Sequence, residues 1–169
     1  MASVRISYAS PDDIPRIHPV IERAYRGDAA RAGWTHEADL VTGDRTDPAT
    51  LTTLVTDPAS RLMIAREGDT PLGCVNIADR GHGLAYLGLL CIEPARQGTG
   101  LGKQLMAAAE ACARETFAAD RIEMTVIDAR VELIDWYRRH GYTPSGEVRG
   151  FPIALDPPLS MTVLVKPLV

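Results

Sequence analysis

The sequence predicts a mixed α/β (α+β) fold in which helices cover both faces of one sheet, and three observations carry this reading. The chain has 169 residues, a length that suits one core and a single domain over 1–169 rather than two. Stretches whose apolar residues recur at every second position interleave with stretches where they recur every three to four. Their order along the chain, β-α-α-β-β-β-α-β-α-β-β, is the alternation of a mixed sheet rather than of strands and helices kept apart.

Residues 4–10 (VRISYAS) alternate and predict the first strand. Ser10-Pro11-Asp12-Asp13 is a helix start, with proline early and carboxylates in the first turn. Ile14, Ile17, Val20, Ile21 and Ala24 then follow at helical spacing, carrying the helix to about Arg26. Residues 27–48 are polar and glycine-punctuated, with a short helix expected after Thr35. Residues 49–56 predict another helix, ended by Asp57-Pro58. RLMIARE and PLGCVNIAD are two strands joined by the turn residues Gly68-Asp69. Residues 83–93 (GLAYLGLLCIE) are almost continuously apolar and predict a central strand buried on both faces. Leu101, Leu105, Ala108 and Cys112 mark the buried side of a long helix. RIEMTVI alternates as a strand, VELIDWYRRH is a helix stopped by Gly141, and SMTVLVKPL closes the chain as a strand.

Composition narrows the function classes. A formal charge of -4 gives no electrostatic footprint for nucleic acid. No apolar run approaches the roughly 20 residues needed to span a bilayer, so no membrane association is expected. The three cysteines, Cys74, Cys91 and Cys112, each sit in an apolar run and read as buried reduced thiols of a cytoplasmic protein. His18, His36, His82 and His140 show no metal-ligand spacing, and no metal is expected.

The most informative stretch is CIEPARQGTGLGKQL, where Gly98, Gly100 and Gly102 precede a helix. Bare backbone at a helix N-terminus is suited to holding a phosphate. A P-loop would need glycine at Gln97 and Ser or Thr at Gln104. A Rossmann fingerprint would need glycine at Lys103 or Leu105, and it expects the first strand of a βαβ unit rather than a strand after a hairpin. Both nucleotide readings fail. What remains is Q-x-x-G-x-G over Gln97, Gly98, Thr99, Gly100, Leu101 and Gly102, between a strand ending Ile92-Glu93-Pro94 and a helix.

This loop resembles the acyl-CoA pyrophosphate loop, [QR]-x-x-G-x-[GA], of the GNAT superfamily of N-acetyltransferases. The later DWYRRHGY helix, with a tyrosine four residues ahead of a Gly-aromatic pair, and the order of elements extend the resemblance over nearly the whole chain. It implies a largely antiparallel sheet of six to seven strands, splayed between the fourth and fifth. It also implies acetyl-CoA as acyl donor, with the pyrophosphate cradled from Gln97 to Lys103. The pantetheine arm would lie in the splayed gap and pair with backbone near Leu90, Cys91 and Ile92. Gly88 suits a bulge there, and an N–H near Ile92 would polarise the thioester carbonyl as an oxyanion hole does.

Acetyl transfer to an amine sets two proton problems. A lysine-like amine, with pKa about 10, must lose a proton before attack, and the departing thiolate gains from a donor. By the resemblance Tyr137 is that donor. Seven residues earlier the family often carries an Asn that holds the pantetheine end. Here stands Arg130, which either reaches a CoA phosphate or caps the region. The base is left open among Glu22, His36, Glu37, Asp39, Glu93 and water.

Tyr25, Arg26, Trp34 and Glu37 are expected in the acceptor wall, and Phe151 in the late proline-rich hairpin is a candidate to cover it. No cysteine stands beside a base, which favours direct transfer in a ternary complex over an acyl-enzyme. The expected acceptor is the amine of a small molecule, and the overall negative charge suits a cationic one. The alternatives are a protein or peptide amine, or a non-catalytic acyl-CoA sensor. The resemblance leaves open a homodimer through the apolar C-terminal strand.

Overall fold

The structure is a computed structural model that describes residues 3–168. Alternating side chains form seven strands: β1 (Val4–Tyr8), β2 (Ser60–Glu67), β3 (Thr70–Gly81), β4 (Leu84–Ile92), β5 (Arg121–Ile127), β6 (Thr143–Gly150) and β7 (Ser160–Pro167). They make one sheet in the order β1-β2-β3-β4-β5-β7-β6. Every neighbouring pair is antiparallel except β4 and β5, which run parallel.

That parallel pair is short. Its register runs only from Leu84↔Arg121 to Tyr86↔Glu123, after which the two strands part. Beside the parting, β4 carries an extra residue: Asn76 pairs with Gly88, whereas Cys74 pairs with Cys91. The bulge is made by Leu89, a non-glycine residue in the left-handed region at φ 53. Gly88 has an ordinary φ, and a Cβ there would meet only the Tyr86 ring, at 3.4 Å. The distortion therefore sits one residue beyond the expected glycine, because the ladder to β3 holds Gly88 in register.

The bulge also inverts the strand. Ala85 and Leu87 point into the core beneath α4 (Leu101–Phe117) and α5 (Val131–Arg139). Beyond it, Leu89 and Cys91 point into the opposite core, under α1 (Ile14–Tyr25) and α3 (Pro48–Thr56). One inserted residue flips every later side chain to the other face. The burial of β4 alternates rather than being continuous, because one side faces the gap.

The two cores explain the helices. Ile14, Ile17, Val20 and Ile21 bury one stripe of α1, each contributing about 1.5–3 kcal/mol as an upper estimate. Leu105, Met106, Ala109 and Ala113 do the same for α4, and Tyr137 for α5. The start of α1 is set by Asp13, whose carboxylate accepts the Ser10 N–H and the Arg66 guanidinium, each at 2.8 Å.

Two further expectations are corrected. The short helix in the polar segment is α2 (Gly27–Arg31), ahead of Thr35 rather than after it. Arg31 holds it by pairing with Asp28 within the helix and with Asp39 beyond it. The C-terminal strand β7 lies between β5 and β6 and is not a sheet edge, so it is not free to pair with another copy; the edges are β1 and β6. Among the described residues no helix is long and apolar enough to cross a membrane.

Candidate active site

The parted strands open a cleft of about 830 Å³. Leu90, Cys91 and Ile92 of β4 and residues 124–127 of β5 line its two walls. The Tyr86 hydroxyl and the Thr125 hydroxyl, 2.7 Å apart, join the strands where the gap begins.

The glycine loop forms one end. Gly98 and Gly100 adopt left-handed backbone, at φ 79 and 87. A Cβ at either would meet nothing within 4 Å, so the requirement is conformational rather than steric. At Gly102 a Cβ would touch the Trp136 ring, at 3.5 Å. Gly100 caps α4 without a side-chain bond, and the first helical bond runs from the Gln104 N–H to the Gly100 carbonyl. The N–H groups of Leu101, Gly102 and Lys103 thus precede any intrahelical acceptor, at the positive end of the helix dipole.

Gln97, Gly98, Gly100, Gly102 and Lys103 line the cleft. Thr99 instead bonds back to the Arg96 carbonyl, at 2.6 Å, and the Leu101 side chain is buried in the core. The Gln97 side chain turns away from the glycines. Its Oε1 accepts the N–H groups of Trp34 and Thr35, and its Nε2 donates to the Ile92 carbonyl. Gly33 makes this possible, since a Cβ there would lie 2.5 Å from Gln97 Oε1.

Tyr137 lines the cleft from α5, its ring edge-on to Trp136 and Tyr142 at 5.1 and 5.8 Å between centroids. Burial pushes its hydroxyl pKa well above the ordinary tyrosine value, with Arg130 opposing the shift. It stays protonated at neutral pH.

The opposite end of the cleft is built around Tyr25, whose hydroxyl donates to the Leu90 carbonyl at 2.9 Å, next to the bulge. Arg26 Nη1 pairs with Glu37 Oε1, and Arg130 Nη1 reaches the other oxygen, Oε2, at 3.2 Å. The side chains of Arg26, Glu37 and Arg130 are 9%, 7% and 9% exposed. Arg130 Nη2 donates to the Thr35 hydroxyl at 2.9 Å, and that hydroxyl donates to Glu132. Both Nη groups of Arg130 are therefore engaged by Glu37 and Thr35. Among the described residues the Nε of Arg26 and the Nε of Arg130 are buried without an acceptor, an arrangement that costs about 1–3 kcal/mol each.

The other candidate bases are engaged. Glu93 is held by Arg23 at 2.8 and 2.7 Å, Glu22 accepts the N–H groups of Arg45 and Thr46, and Asp39 pairs with Arg31. His36 Nδ1 accepts the Ala38 N–H.

Sequence reasoning missed Gly33, Thr35, Arg45, Tyr86 and Thr125. None belongs to a recurring motif, and each acts through a partner at least 39 residues away or through an open cleft surface. The charge of the cleft differs from that of the chain as a whole. Arg26, Arg45, Lys103, Arg130 and Arg139 line the cleft against one carboxylate, Glu37, so its local charge is opposite to the chain's -4.

No curated protein sequence matches the chain significantly. Among solved structures, yncA from Salmonella typhimurium, described as an acetyltransferase and solved with its cofactor acetyl-CoA, superposes with a TM-score of 0.74 at 15% identity, over 99% of this chain and 95% of that one. The ribosomal-protein-S18-alanine N-acetyltransferase from Escherichia coli gives 0.75 at 13% identity, over 98% and 94%. A spermidine N-acetyltransferase SpeG chimera from Vibrio cholerae and hSSAT gives 0.74 at 14%, over 98% and 95%. These likenesses concern the fold. The acetyltransferase (GNAT) family model matches residues 21–142. The chain belongs to the GNAT family of acetyltransferases, whose acyl donor is acetyl-CoA.

Proposed function

We propose that the chain transfers an acetyl group from acetyl-CoA to the primary amine of a small molecule, by direct attack in a ternary complex. The observation that carries this reading is the meeting of three parts on one cleft: free N–H groups at the start of α4, the parted strands β4 and β5, and the protonated Tyr137.

These parts fit acetyl-CoA. The loop from Gln97 to Lys103 offers unpaired backbone donors suited to a pyrophosphate. Leu90, Cys91 and Ile92 line the gap where a pantetheine arm would lie. When bound, acetyl-CoA supplies an acetyl thioester, already activated for attack by an amine.

The chain's own residues then do two things. Past Tyr86 the backbone of β4 has no β5 partner, and an N–H near Ile92 would polarise a carbonyl oxygen in the gap. Tyr137 holds a proton on its hydroxyl, where a leaving thiolate can take it. Among the described residues Glu37 is the one carboxylate lining the cleft and is held between Arg26 and Arg130, so the amine's proton passes to water rather than to a carboxylate. The loop 33–37, tied to Gln97 at one side and to Arg130 and Glu132 at the other, bounds the acceptor end and favours a small acceptor.

The test is thiol release from acetyl-CoA over amino acids, polyamines, aminoglycosides, arylamines and short peptides. Turnover on a small amine is the expected result. Acetyl-CoA binding with silence on every small amine would overturn it, in favour of a macromolecular acceptor or a sensor.

A further inference from the structure

The acceptor end carries more positive charge than the fold uses. Arg26 and Arg130 share the single carboxylate of Glu37. Arg45 stacks its guanidinium 4.9 Å from the Tyr25 ring centroid and joins no ion pair among the described residues. Three guanidinium groups beside Tyr25 thus share one directly paired carboxylate, with Glu132 one hydroxyl beyond Arg130 and Glu22 on the Arg45 backbone N–H.

The donors left over have a definite shape. Arg26 uses Nη1 for Glu37 and the Tyr25 carbonyl. Its Nε is buried without an acceptor, and its Nη2 likewise has none among the described residues. Nε is closed off from the cleft, so Nη2 is the Arg26 donor left for an incoming carboxylate. Arg130 adds a second buried Nε without an acceptor. Both side chains are more than nine-tenths buried and line the cleft. Donors left unsatisfied in this way are uncommon, and an anion held by Arg26 Nη2 and Arg45 would offset the positive charge that Glu37 shares between two guanidinium groups.

We propose that Arg26 and Arg45, backed by Arg130, form an anion subsite for the carboxylate of the acceptor, so that the substrate class is a free amino acid rather than a polyamine or a peptide. This deepens the acetyltransferase reading and rests on it. Trp34, Phe151, Ile153 and Met161 line the same cleft and suit an apolar side chain. The excess positive charge also favours the neutral form of the acceptor amine, which is the nucleophile. That supplies, without a dedicated base, part of what deprotonation requires.

Calorimetry on the protein loaded with CoA tests the subsite without turnover, using the twenty proteinogenic amino acids, their carboxamides and the corresponding decarboxylated amines. At least one free amino acid is expected to bind tenfold or more tightly than its amide and its amine. Arg45→Gln, on a half-buried side chain whose loss need not disturb the Arg26–Glu37–Arg130 cluster, should reduce that preference at least tenfold. Its acetyl-CoA dissociation constant should stay within twofold. Equal binding of acid and amide, no binding of any free amino acid, or an Arg45→Gln protein that keeps the preference would overturn the subsite. So would a loss of acetyl-CoA affinity in Arg45→Gln, which would assign the arginine to the donor's phosphates. Thiol release separates the two readings: turnover on amines lacking a carboxylate sinks the subsite alone, and carboxylate-dependent binding without turnover sinks the transfer reading alone.

Discussion

The Tyr25 hydroxyl donates to the Leu90 carbonyl across 2.9 Å, fastening the end of α1 to the bulge of β4. The bond spans the point where β4 loses its β5 partner, so it satisfies a carbonyl that the sheet leaves unpaired. Tyr25→Phe should lower stability by about 1–2 kcal/mol, read by urea unfolding. It should also lower kcat, because the bulge it braces shapes the gap.

Tyr137→Phe is expected to reduce kcat by about 100-fold or more while acetyl-CoA affinity changes less than twofold. Burial raises the pKa of Tyr137 in the folded state above the usual 10.0. The wild-type rate should therefore show no loss through tyrosine ionisation up to about pH 10. A group whose folded pKa is raised contributes stability below its unfolded pKa and loses it as pH rises. The unfolding midpoint should accordingly fall above about pH 10, and fall less in Tyr137→Phe.

Glu37 holds two buried guanidinium groups, so Glu37→Gln leaves both without a counter-charge. The expected loss is about 3–5 kcal/mol, measured by chemical denaturation. A variant as stable as wild type, with only its pH–rate profile changed, would restore Glu37 as a catalytic base.

Gly100→Ala places a Cβ on left-handed backbone with open space around it. It should cost about 1–2 kcal/mol of stability and weaken acetyl-CoA binding about tenfold. Gln104→Ala, one turn further along α4, is the control and should leave binding unchanged by calorimetry.

Asp13 ties the start of α1 to β2 through Arg66, and that hydrogen bond holds its carboxyl below the usual range, at about 2. A lowered folded pKa contributes stability above the unfolded value, and the contribution fades as pH falls from about 4 through about 2. Asp13→Asn should cost about 2 kcal/mol at pH 7, with the difference from wild type shrinking across that window in urea titrations.

The sequence by itself determined what depends on neighbours along the chain. Gly98 and Gly100 ahead of the periodic residues of α4 announce an N-terminus with bare donors, because left-handed turns and helix starts are local events. The helix carrying Tyr137 and stopped by Gly141, the strand pairs and the family followed from the same local patterns. Tertiary structure decided what depends on residues distant in sequence. Leu89, not Gly88, takes the strained bulge because the ladder to β3 fixes the register on either side. Thr35 and Glu37 become partners of Arg130 only when a loop is laid across the gap. The cleft is cationic in an acidic chain because charge is summed over the whole surface, whereas a ligand meets only the residues that folding turns towards it.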